Sequence, residues 1–80
     1  MKTPENWEEE GGKLLRDCTF PNFTDALIFV NRVGEIAEEL NHHPDITIHH
    51  YSRVHLEIYH HDGKPLDASD SKLAETINNI

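Results

Sequence analysis

Apolar and polar positions alternate in the first fifth of the chain, then recur at helical spacing, then repeat both patterns once more. Between Trp7 and Phe20, Leu14, Arg16, Cys18 and Phe20 share one parity and Leu15, Asp17 and Thr19 the other. With Gly11-Gly12 as a two-residue turn signal, that alternation predicts a hairpin with Cys18 facing the core. Pro21-Asn22 then breaks the strand. From Phe23 onward Leu27, Val30, Val33, Ile36, Ala37 and Leu40 fall three and four residues apart, the spacing of an amphipathic helix. Asn22 or Thr24 can cap it and Asp25 suits its first turn, while Pro44 forbids continuation, so the helix ends near Asn41.

Two further strands are expected over Ile46 to His50 and Arg53 to His60, around a turn at Tyr51-Ser52. Val54, Leu56 and Ile58 form the apolar face of the second, opposite His55, Glu57 and Tyr59. Asp62-Gly63-Lys64-Pro65 closes it, and Asp67 can cap a last helix whose buried stripe is Leu73, Ala74, Ile77 and Ile80. The order ββαββα with short connections predicts an α+β fold: a four-stranded antiparallel sheet with helices packed on one face, residues 1–80 forming one domain.

At 80 residues the chain supports a single core that hides roughly 60–65% of its unfolded surface, and its one cysteine allows no internal disulfide. Burial against identical subunits, as a homodimer or homotetramer, would offset that shortfall. The free Cys18 and the lack of a charged, apolar leader point to the cytoplasm, and no apolar run is long enough to span a bilayer. Cys18 itself reads as a small buried hydrophobe, with no catalytic role. A net charge of −8, with scattered Lys and Arg, argues against a direct nucleic-acid surface.

Histidine is the unusual resource: seven in the chain, six of them in the pairs His42/His43, His49/His50 and His60/His61. Its ordinary pKa of about 6.5 suits proton transfer near neutrality. His42-His43-Pro44 sits at a junction between elements, although a favourable contact with the helix C-terminus would explain one of the rings. In a strand, His60 and His61 would point to opposite faces, His60 toward the core with Val54, Leu56 and Ile58. That divergence, and the absence of metal-ligand spacing on a helix, argue against a closed metal site. Asp70 is adequately explained as a first-turn acid, yet a carboxylate there can also orient an imidazole. Glu35, Glu38 and Glu39 read as a solvated stripe, of which Glu38 precedes the histidine pair by one turn.

Taken in order, Glu38-x₃-His42-His43-Pro44, Tyr51, His61-Asp62, Leu66 and Asp70 resemble the pterin-4a-carbinolamine dehydratases, also called 4a-hydroxytetrahydrobiopterin dehydratases. Trp7, Leu14-x-Arg16, Phe20-x₂-Phe23, Phe29-Val30-x₂-Val33 and Ala37-Glu38 extend the resemblance over most of the chain. It implies a hydro-lyase of tetrahydrobiopterin recycling that converts a 4a-hydroxytetrahydropterin to the quinonoid dihydropterin with no metal or redox cofactor. It places catalytic histidines at His42, His43 and His61, with its acids at Glu38 and Asp70; the substrate contacts expected around them are Glu38, His42, His43, Pro44, His60, His61, Asp62 and Asp70.

Two departures matter. Six residues, Asp45 to His50, separate Pro44 from Tyr51 where the family usually has five, and a β-bulge near His49 is expected to absorb the extra one. Counting from Tyr51 or back from Asp70 selects His61 for the site, whereas a gapless count from Pro44 selects His60. Tyr59-His60 stands where the family commonly has small hydroxyl residues. These departures also motivate an alternative, a non-catalytic member of the fold acting as an assembly factor or oligomeric binding module for another protein. A histidine-based metal or proton buffer is a third possibility.

Overall fold

In the computed structural model, which describes residues 2–80, the elements are β1 (Glu8–Glu10), β2 (Lys13–Thr19), α1 (Phe23–Leu40), β3 (Asp45–His49), β4 (Arg53–Ile58) and α2 (Ala68–Asn78). The sheet is antiparallel throughout, in the order β1-β2-β4-β3. Gly11 and Gly12 join β1 to β2 with φ of 58° and 78°, the left-handed pair that a two-residue hairpin turn of matching twist requires. Both helices cover one face. Leu14, Val54, Leu56 and Ile58 from the sheet meet Phe29, Val33 and Ile36 from α1 and Leu73, Ala74 and Ile77 from α2 in one buried cluster. The other face carries charge: Lys13 and His55 both bond Glu57, and His55 also bonds Asp17.

The apolar stripe of α1 follows the expected one at Val33, Ile36 and Ala37, which are buried, and at Val30 and Leu40, which are partly buried against the core. It departs from the expected one in the first turns. Ala26 and Phe29 are buried, while Leu27 and Ile28 are exposed along with Phe23. The helix has more apolar residues than one sheet face can cover, and the small Ala26 lets it approach closely where Leu27 would not. Ile80, expected in the stripe of α2, lies beyond the helix end and is likewise exposed.

The hairpin between β3 and β4 is also simpler than expected. Its register is unbroken from Asp45↔Glu57 to His49↔Arg53, so β3 contains no bulge. The extra residue is taken up in the connection, residues 50–52, where His50 and Tyr51 adopt φ of 49° and 50° and the Ser52 N–H donates to the His50 carbonyl at 2.6 Å. Absorbing it there leaves every side chain of β4 on the face its alternation demands, whereas a slip inside the strand would have turned the core residues outward.

Candidate active site

Two helix termini and one strand end build the site. Asn41, with φ of 51°, closes α1: its N–H reaches the Glu38 carbonyl, and the His42 N–H reaches that of Ala37 at 3.1 Å. This is the Schellman arrangement, which satisfies otherwise orphaned carbonyls and turns the chain sharply. His42 and His43 therefore leave the helix on a fixed backbone, and Pro44 directs it into β3. At the start of α2 the Asp67 side chain accepts the Ser69 N–H at 2.8 Å, and the Asp70 carboxylate reaches back to the Asp67 N–H at 2.7 Å. Such a capping box locks the Asp70 rotamer.

Asp70 is wholly buried, and cap satisfaction is only part of its work. Its Oδ1 lies 2.5 Å from His42 Nε2 and its Oδ2 lies 2.8 Å from His60 Nε2. The two imidazoles stack with centroids 5.4 Å apart and planes inclined by 21°. A buried carboxylate needs donors on its lone pairs, and three converge on this one. His60 also approaches Asp67 at 3.5 Å. The Asp67 carboxyl is held below its ordinary range by the Ser69 hydroxyl and N–H, with a smaller contribution from His60.

Above these rings lies an open hollow of about 350 Å³, bordered by residues 41–43 and 59–62. His43 enters it from the helix exit and is hydrogen-bonded to Glu38, both groups being solvent-exposed. His61 borders the hollow with 60% of its side chain exposed, 3.8 Å from Asp45 and 4.7 Å, centroid to centroid, from the Tyr59 ring. Tyr59 donates to Asp45 at 2.7 Å, and this bond pushes its phenol above the ordinary range. Asp62 completes the rim and accepts the Lys64 N–H. Pro44 contributes through the backbone direction it imposes.

The sequence-based expectation for His60 and His61 needs one correction. β4 ends at Ile58, so strict alternation no longer holds at residues 60 and 61. His60 turns inward to Asp70 as its parity predicts, yet both rings border one hollow instead of diverging to separate faces. Asn41 is a further lining residue that the chain order did not single out, and Tyr59, noted there as a departure from the family, lines the hollow as well. Nor did it anticipate that His42, His60 and Asp70 bring potential metal-ligating atoms within 4.8 Å of one another. The nearly parallel rings, however, direct both Nε2 atoms side by side at the carboxylate, an arrangement suited to sharing an acceptor more than to converging on an ion. The site thus gathers four imidazoles, two of them backed by a buried carboxylate, around one open hollow.

The family model described as pterin 4 alpha carbinolamine dehydratase matches residues 1–80. A protein of Thermomicrobium roseum provisionally named pterin-4-alpha-carbinolamine dehydratase is 48% identical over 71 residues, 89% of this chain and 75% of that protein. One from Sulfolobus acidocaldarius with the same provisional name is 38% identical over 95% of this chain and 82% of its own length. Among solved structures, a transcriptional coactivator/pterin dehydratase from Brucella melitensis superposes with a TM-score of 0.82 at 27% identity, covering 94% of this chain and 81% of that one. A pterin dehydratase-like protein identified as a RuBisCO assembly factor in the alpha-carboxysome shares the fold, with a TM-score of 0.79 at 17% identity, over 98% and 92% of the two chains.

Proposed function

The chain belongs to the pterin 4 alpha carbinolamine dehydratase family, and from that membership we propose that it removes water from a 4a-hydroxytetrahydropterin to give the quinonoid dihydropterin, a step of tetrahydrobiopterin recycling. The observation that carries the reading is the gathering of His42, His43, His60 and His61 around one hollow, with a buried carboxylate behind two of them. In this reaction the N5 lone pair closes onto C4a as the C4a–O bond breaks. The departing oxygen takes a proton from an acid and leaves as water, and a base takes the N5 proton. Only protons and one C–O bond are involved, so the reaction calls on no metal or redox cofactor. Positioned imidazoles suit such transfers near neutrality, each supplying roughly 10²–10⁴-fold.

His42 is assigned to proton transfer together with His61, the second histidine that the chain order selects. His43, steadied by Glu38, chiefly binds the pterin, while Asp70 orients His42 and Asp62 offers a rim acceptor to the ring. Self-association into a dimer or tetramer belongs to the same reading, since Phe23, Leu27 and Ile28 leave apolar surface uncovered on α1. The cytoplasm, where Cys18 stays reduced, is the proposed setting. Among the described residues no helix is long and apolar enough to cross a membrane.

The test is a dehydration assay on the wild type and on His42→Ala, His43→Ala and His61→Ala singly. Turnover by the wild type that falls in these variants supports the assignment, and unchanged turnover in all three overturns it. The alternative, an assembly factor that has kept only the architecture, is favoured by one observation, the RuBisCO assembly role of a protein with this fold. Wild-type protein that neither dehydrates nor binds a pterin, yet co-purifies with a macromolecular partner, would replace the first reading with the second.

A further inference from the structure

The strand-end residue His60 has so far stood only as an expected substrate contact, with no part in proton transfer, yet its ring is more firmly placed than that of His61. Its side chain is 21% exposed against 60% for His61, and it is bonded to the buried Asp70 on one edge while bordering the hollow. We propose that His60 is a catalytic imidazole of this site, and that His42 and His60 act as a pair held by the Asp70 carboxylate. The proposal rests on the dehydratase reading and refines it: the partner of His42 in proton transfer becomes His60, and His61 is left the exchange of protons with solvent.

The carboxylate geometry dictates which ring atoms do the work. An ionised carboxylate only accepts, so each imidazole bonded to it must carry a hydrogen on Nε2. Nδ1 is then the atom left on each ring to give or take a proton. Asp70 imposes the same tautomer on both rings at once, because its two oxygens serve one each, at 2.5 Å and 2.8 Å. Water is lost across two bonded atoms, C4a and N5, so the acid and the base must act within a few ångströms of each other. Two stacked rings with centroids 5.4 Å apart meet that demand without rearrangement. One ring, protonated on both nitrogens, passes the Nδ1 proton to the departing hydroxyl. The other, neutral at Nδ1, takes the proton from N5. The exchanged protons return through the mouth of the hollow, where the exposed His61 stands against solvent.

The experiment combines long-range ¹H–¹⁵N spectra of histidine-labelled full-length protein with steady-state kinetics. In the wild type His42 and His60 are both expected as Nε2–H tautomers, and a bound pterin analogue should shift the Nδ1 resonances of both. The Asp70→Asn variant should lose that shared tautomer preference. For His60→Gln, kcat should fall by about 100-fold with KM changed less than about threefold, while His49→Gln, an imidazole removed far from the hollow, should keep wild-type kinetics. A wild-type His60 that carries its hydrogen on Nδ1, or that ignores the analogue, overturns the proposal without recourse to any variant. Wild-type turnover with His60→Gln unimpaired overturns it too and leaves the dehydratase reading intact. Absence of turnover from the wild type overturns that reading, and this role with it.

Discussion

His42 and Asp70 are 28 residues apart in the chain and 2.5 Å apart in space, joining the end of one helix to the beginning of the other. The contact is both structural and chemical. Asp70 brings a negative charge into the interior, where it is tolerable only because His42, His60 and the Asp67 N–H all donate to it. Replacing it by asparagine keeps the volume but turns one acceptor into a donor facing donors. Asp70→Asn should therefore lower unfolding stability in urea by about 2 kcal/mol and also reduce turnover. Asp67→Ala, which loses cap bonds but leaves Asp70 in place, should cost less than Asp70→Asn. Equal losses in the two variants would show that Asp70 acts as a cap and nothing more.

On the open face of the sheet, His55 lies between Asp17 at 2.7 Å and Glu57 at 2.9 Å. The bond to Asp17, then that to Glu57, raises the His55 pKa from its ordinary 6.5. Lys13 first, then His55, lowers that of Glu57 from 4.5. A raised histidine contributes stability that is fully present below its unfolded value and is lost as pH climbs through the folded one. A depressed carboxylate contributes stability present above its unfolded value and lost as pH falls through the folded one. The cluster should therefore stabilise most between about pH 4.5 and 6.5 and weaken above that window. Melting temperature measured from pH 5 to 8 should decline more steeply in the wild type than in His55→Gln. Parallel curves would mean that the cluster adds nothing, as is common for exposed ion pairs.

The hairpin turn at Gly11-Gly12, the long helix, the face of β4 and the caps at Asn22 and Asp67 were all legible, because each follows from local rules of spacing and turn chemistry. So was the inward direction of His60. What could not be read was which side chains from separate elements reach one carboxylate. That depends on the angle at which α1 leaves the sheet and on where α2 begins, both set by core packing. The depth of Phe29 against the exposure of Leu27 was hidden for the same reason: two apolar faces on one helix compete, and only tertiary contact decides between them. The extra residue before Tyr51 was visible, but its location was not, because a bulge and a longer turn have the same sequence length.

That turn carries a measurable strain. Tyr51, with φ of 50°, sits in the left-handed region that glycine occupies freely, and its side chain is 69% exposed, so little packing opposes a change. Left-handed backbone costs a non-glycine residue roughly 1–2 kcal/mol, of which the greater unfolded-state entropy of glycine returns up to about 1. Tyr51→Gly should accordingly stabilise the fold by about 0.5–1 kcal/mol in urea titration. A loss of stability would show that the ring makes a contact outweighing the backbone strain.

Glu38 and His43 separate binding from stability. The two side chains are 77% and 54% exposed, so their hydrogen bond forms in water and should contribute less than about 0.5 kcal/mol to folding. Its consequence lies in the pose of His43, which borders the hollow without bonding Asp70. Glu38→Gln keeps the length and an acceptor oxygen but removes the charge that assists the bond. The expected outcome is unfolding stability within about 0.5 kcal/mol of wild type and a KM for the 4a-hydroxypterin raised about fivefold, with kcat largely preserved. A fall in kcat at constant KM would instead mean that His43 transfers a proton, and that binding and chemistry are shared among the imidazoles differently from the assignment made above.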